Sequence, residues 1–156
     1  MKVIFLCHGN ICRSPMAEYI FKYLVRKNSA DNLFVFEISS RATSSEEYGN
    51  DIYPPAKRVL EENMIPFSSH FARKITKTEY EEADYILAME EYNIYNLERV
   101  VGKVDKNKVF LLRNWSNLKR DISDPWYNGR FKEVFEEIYE GCYDFLCFLL
   151  NVSVLH

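Results

Sequence analysis

The sequence predicts a single α/β domain: a four-stranded parallel sheet with helices on both faces. Three observations lead there. Short apolar runs rich in strand formers alternate along the chain with segments of helical period. The first forty residues read as strand, loop, helix, strand, a βαβ unit whose crossover should be right-handed. The length, 156 residues, suits one domain, here residues 1–156, with about 70% of the unfolded surface buried.

In order, residues 2–6 form an apolar strand that stops at Cys7-His8-Gly9-Asn10, where glycine and asparagine signal a loop. Ser14-Pro15 reads as a helix start, with Ser14 as cap and Pro15 at the first helical position. Met16, Ala17, Ile20, Phe21, Leu24 and Val25 form one apolar stripe, so the helix should run to about Lys27. Residues 33–38 are the second strand, and residues 39–53 are polar and read as loop. Pro54-Pro55 opens a helix to about Asn63. Thr76 and Thr78 each precede a glutamate by three positions, which marks a short helix start. Residues 84–89 and 109–112 are the third and fourth strands, with a helix over about 91–100 between them. Residues 114–128 read as a long loop. The last helix is the clearest, with Phe131, Val134, Phe135, Ile138, Cys142, Phe145, Leu146 and Leu149 on one stripe.

Composition narrows the function. A net charge of -3 gives no global pull towards nucleic acid or anionic lipid, so neither is expected as a partner. The opening residues lack a secretory core and cleavage site, and no apolar run approaches a membrane span. The four cysteines, Cys7, Cys12, Cys142 and Cys147, have neither zinc-finger spacing nor a secreted disulfide pattern. Reduced thiols in the cytoplasm are the expectation, with no metal and no cofactor. Cys142 and Cys147 fall in the last helix and read as structural.

The strongest chemical signal is Cys7-His8-Gly9-Asn10-Ile11-Cys12-Arg13-Ser14. A cysteine ends a strand, an arginine follows six positions later, and a helix begins at once. Ligands of open α/β sheets bind beyond the carboxyl ends of the strands. A loop entering a helix there turns its N–H groups inward at the positive end of the helix dipole, which makes an anion cradle. Residues 8–14 are therefore the expected phosphate binders, with Gly9 supplying freedom where the loop curls. The planar fork of Arg13 can hold two phosphate oxygens at once. Cys7 would lie beneath the phosphorus as a thiolate nucleophile and form a covalent thiophosphate. Ser14 can hydrogen-bond the sulfur and ease its departure.

The string from Gly9 to Glu18 resembles the signature of the low-molecular-weight protein tyrosine phosphatases. Further matches are Ser40-Arg41-Ala42-Thr43-Ser44, Gly49-Asn50, Ser69-His70-Phe71-Ala72-Arg73, Met89-Glu90-Glu91 with Asn93, and Asp124-Pro125-Trp126-Tyr127. The resemblance implies metal-free hydrolysis of phosphotyrosine on protein substrates; a monomer or weak homodimer is expected. It makes Cys7 the nucleophile, Arg13 the phosphate clamp and Asp124 the general acid. Chemistry asks for such an acid, because a phenol with a pKa near 10 leaves poorly unprotonated. Pro125 biases Asp124 to an extended backbone, which projects it from its loop. The resemblance also implies that Asn10 and His70 support the phosphate loop, joined by a hydrogen bond, with Ser40 in the same network. It gives Cys12 a redox role, trapping an oxidised Cys7 as a disulfide.

By the same resemblance, Trp126 and Tyr127 wall the slot for the substrate ring, and Glu46, Glu47 and Tyr48 form the opposite rim. Many relatives carry an aromatic residue near Glu46; carboxylates there should disfavour acidic peptides. Glu90 stands where relatives often carry aspartate, which leaves open whether its longer side chain keeps a supporting contact. An arsenate reductase on this fold needs redox cysteines downstream of the loop, and none lies between Cys12 and Cys142. Relatives that act on phosphoarginine tend to have threonine where this chain has Ile11. A non-catalytic phosphate reader would need neither Cys7 nor Asp124.

Overall fold

The computed structural model describes residues 1–151. Its centre is a four-stranded parallel sheet in the order β2-β1-β3-β4, formed by β1 (Lys2–Cys7), β2 (Glu37–Ala42), β3 (Tyr85–Ala88) and β4 (Val109–Leu111). The helices are α1 (Arg13–Lys27), α2 (Pro54–Glu62), α3 (Lys77–Glu82), α4 (Glu91–Val101), α5 (Pro125–Asn128) and α6 (Phe131–Leu149).

The two-residue period of a strand sends alternate side chains of β1 to opposite faces. Val3, Phe5 and Cys7 enter the larger core, with Met16, Ile20, Phe21 and Leu24 of α1, Val59 and Leu60 of α2, and Ile138, Cys142 and Phe145 of α6. Ile4 and Leu6 enter the smaller core, with Tyr80 of α3 and Leu97 of α4. Both faces are thus covered, which is why β1 is apolar at every position from Val3 to Cys7. The expected fold class holds.

Several boundaries differ from the sequence expectation. The second strand begins at Glu37, not at residue 33, and takes in 39–42, which had read as loop. Leu33 and Val35 are 70% and 86% exposed. The strand is fixed by its pairing, from Lys2↔Glu37 to Cys7↔Ala42. Its polar residues find partners elsewhere in the fold: Ser40 on Glu18, and Arg41 on Glu79. Hydrophobicity along the chain cannot register that. Ser14 is not a cap, because α1 starts at Arg13 and Ser14 lies inside the first turn. The fourth strand stops at Leu111, where a 3₁₀ turn, Leu112–Trp115, begins and runs into the residues read as loop over 114–128, which also hold the short α5. The capping box at Thr76 and Glu79 forms as the spacing predicts. No helix among the described residues is long and apolar enough to cross a membrane.

Candidate active site

The loop expected to bind phosphate runs from the carboxyl end of β1 to the amino end of α1. Cys7 points to the face that α1 covers, so its Sγ meets the first turn of that helix. Sγ lies 3.0 Å from Ser14 Oγ and 3.3 Å from the backbone N of Asn10. Ser14 Oγ accepts from Asn10 Nδ2 at 2.8 Å, which leaves its own proton free for a thiolate. Asn10 Nδ2 also donates to Ser40 Oγ at 3.0 Å, and Ser40 donates to Glu18 Oε1 at 2.7 Å. Lys22 closes the chain on Glu18 Oε2 at 2.6 Å. Sequence reading missed Glu18. The available signal was its place four residues after Ser14, on the same face of α1.

The expected contact between Asn10 and His70 is present, with a change of partner atom. His70 Nε2 lies 2.7 Å from the backbone carbonyl of Asn10. A carbonyl only accepts, so Nε2 is the protonated ring nitrogen. The Asn10 side chain is engaged by Ser14, Ser40 and the Arg73 amide. Asn10 has φ of 62°, so this residue, and not Gly9, adopts the left-handed turn of the loop. Gly9 answers a need for space. A Cβ there would lie 3.2 Å from Glu47 Cγ.

Arg13 is 3% exposed and held from two sides. Its Nη1 donates to Glu90 and, at 2.8 Å, to the Ile122 carbonyl; Nη2 reaches Asp124 Oδ2 at 3.4 Å. Glu90 therefore keeps a supporting contact despite its length. Burial works against the Arg13 charge, but Cys7, Asp124 and Glu90 outweigh it and hold the guanidinium more firmly protonated than usual. Asp124 is extended, as its place before proline predicts, and its Oδ1 caps α5 through the Trp126 amide at 3.0 Å.

These residues line a pocket of about 210 Å³, shared by Cys7 to Arg13, Glu46, Glu47, Asp124, Trp126 and Tyr127. Trp126 is braced by Tyr53, ring centroids 4.5 Å apart, and Tyr53 by Phe131. Tyr53 also donates its amide to the Ile11 carbonyl, a support that sequence reading did not foresee. Tyr48 departs from expectation. It packs edge-on against Phe71 and is not part of the pocket wall. Cys12 lies buried with Ile11 and Ala72. Burial first, then the nearby Cys7 and Asp124, pushes its thiol well above the ordinary range, so it rests as a thiol beside a reduced Cys7. Cys142 is wholly buried, with Sγ 3.7 Å from the Ala17 carbonyl. Among the described residues no group of histidine, cysteine and carboxylate side chains has the arrangement of a metal site.

A strand-end sulfur under a helix-capped cradle, with an arginine at its side and a carboxylate across from it, suits attack on a phosphate ester. On this fold it defines the class of cysteine-dependent phosphatases. Comparison with known proteins narrows the class. Residues 2–153 match the family described as low molecular weight phosphotyrosine protein phosphatase, and the chain belongs to that family. A human low molecular weight phosphotyrosine protein phosphatase is 39% identical over 90% of this chain and 87% of its own. The Bacillus subtilis low molecular weight protein-tyrosine-phosphatase YfkJ is 32% identical, with 91% of each chain covered. The YfkJ crystal structure superposes with a TM-score of 0.89 over 97% of this chain and 95% of that one. A drosophila arginine phosphatase, 31% identical, superposes with a TM-score of 0.85 over 96% and 98%.

Proposed function

We propose that residues 1–156 form one phosphatase domain that hydrolyses phosphotyrosine in proteins, and small aryl phosphates, through a cysteinyl phosphate on Cys7. The observation that carries this reading is the triangle of Cys7, Arg13 and Asp124 around one pocket, with Nη2 of Arg13 3.4 Å from Asp124 Oδ2. The phosphate enters the cradle of residues 8–14 and takes up the Arg13 fork. Asp124 Oδ2 is then released towards the leaving group. The Cys7 thiolate attacks phosphorus, the bond to the phenolic oxygen breaks, and the protonated Asp124 carboxyl gives that oxygen its proton. The resulting carboxylate takes a proton from water as the water attacks phosphorus. The S–P bond breaks, the thiolate returns, and inorganic phosphate leaves.

The pocket wall favours a tyrosine leaving group. Trp126, braced by Tyr53, offers an aromatic face for a ring. Ile11 stands where relatives acting on phosphoarginine tend to have threonine. We place the protein in the cytoplasm, because a thiolate nucleophile needs a reducing compartment and all four cysteines are free. One chain supplies every residue of the pocket, so a monomer or a weak homodimer can act. Under peroxide, Cys7 becomes a sulfenic acid; condensation with the Cys12 thiol forms a disulfide, releases water and gives a reversible inactive state.

Turnover of an aryl phosphate and a phosphotyrosine peptide tests the reading. Cys7→Ser is expected to lose all turnover. Asp124→Ala should lose about 100-fold or more on phenols of high pKa and less on activated leaving groups. Chelator should change neither rate. Undiminished turnover by Cys7→Ser would defeat the proposal.

A further inference from the structure

The charge around the pocket mouth is one-sided. Among the described lining residues, Arg13 is the only lysine or arginine, and it sits at the floor between Glu90 and Asp124. At the rim stand Glu46 and Glu47. The Glu46 side chain is 70% exposed, and its Oε2 meets His8 Nε2 at 3.0 Å. Glu47 is fixed from outside by Asn50 Nδ2 at 2.6 Å, and its stem lies against Gly9. Among the described residues neither carboxylate has a lysine or arginine partner. Two carboxylates are thus held at the pocket that Trp126 also lines, with no paired lysine or arginine among the described residues to offset them.

We propose that Glu46 and Glu47 make the mouth of the pocket select phosphotyrosines flanked by lysine or arginine. The inference rests on the phosphotyrosine reading above. Once the phosphate is seated, side chains next to the tyrosine pass over the rim, within the Debye length of about 8 Å at physiological salt. Such rim charges act chiefly on encounter and on KM, weaken with salt, and repel like charge as readily as they attract the opposite. The His8 contact tethers the exposed Glu46 carboxylate to the loop that lines the pocket, so the selection is exerted at the mouth itself.

The test uses one phosphotyrosine peptide in three versions, with lysine and arginine, with aspartate and glutamate, or with neutral residues beside the tyrosine. At low salt, kcat/KM should rank basic above neutral above acidic, with about 5-fold or more between the extremes. The difference should lie mainly in KM and shrink at high salt. In the Glu46→Gln/Glu47→Gln double variant the ratio of basic to acidic peptide should approach one. Each rate is normalised to that variant's own aryl phosphate rate, so any general loss cancels. Equal kcat/KM for the three peptides with wild type, or a preference that survives in the double variant, would overturn the inference and leave the phosphatase reading intact. If no phosphotyrosine peptide is turned over, both fall.

Discussion

The hydroxyl of Ser14 has one proton and two neighbours that compete for its lone pairs and that proton. Asn10 Nδ2 donates to it at 2.8 Å, so the proton is left for Cys7 Sγ at 3.0 Å. A hydrogen bond to a charged group contributes about 1.5–3 kcal/mol, and about 1.4 kcal/mol is tenfold in rate. Ser14→Ala should therefore lower kcat about 10- to 100-fold. The loss should fall on the second step, where sulfur departs, so stopped-flow traces should show a fast burst of phenol before a slow steady state. An unchanged steady-state rate would remove Ser14 from this role. At this scale the sequence was legible wherever partners lie close in the chain: Cys7, Arg13 and Ser14 share one loop. For Glu90, 77 residues from Arg13, it left the contact open, and it did not show the exchange by which His70 bonds the Asn10 carbonyl instead of its side chain.

Helix α6 shows how an element is held by what faces it. Gly141 lies where the helix crosses the 3₁₀ turn, and a Cβ there would stand 2.9 Å from Leu112 Cγ. Leu112 is fully buried and has little room to give way. Gly141→Ala gains about 0.5–1 kcal/mol of helix propensity, but overpacking costs about 1–3 kcal/mol. We expect a net loss near 1 kcal/mol, read as a lower urea midpoint with unchanged slope. A higher midpoint would show that Leu112 yields. The periodicity of α6 was plain in the sequence, because one stripe faces one core. Strand β2 was misplaced because its inward residues are Ser40 and Ala42, and the partners of Ser40 come from α1 and the phosphate loop. The glycine of α6 carries no label in the sequence that distinguishes a crossing point from a flaw.

Across the whole molecule one aromatic side chain ties the layers together. Phe145 packs on Phe21 of α1, Tyr85 of β3 and Trp115 of the 3₁₀ turn, with ring centroids 5.4, 5.2 and 4.9 Å away. Phe145→Ala should cost about 3–5 kcal/mol in equilibrium unfolding, and the molecules that remain folded should keep kcat/KM close to wild type. A large fall in kcat/KM at a temperature where the variant is folded would mean that this core also sets the phosphate loop. The sequence alone determined the alternation of strands and helices and the cradle between β1 and α1. Both follow from side-chain periodicity and from a turn of a few residues, which are short-range properties. Tertiary structure decided the register of β2, the closure of Glu90 and Asp124 on Arg13, and the placement of Tyr48 outside the pocket that Glu46 and Glu47 border. Each of these depends on polar or aromatic groups finding partners far along the chain, and only the folded sheet sets which ones meet.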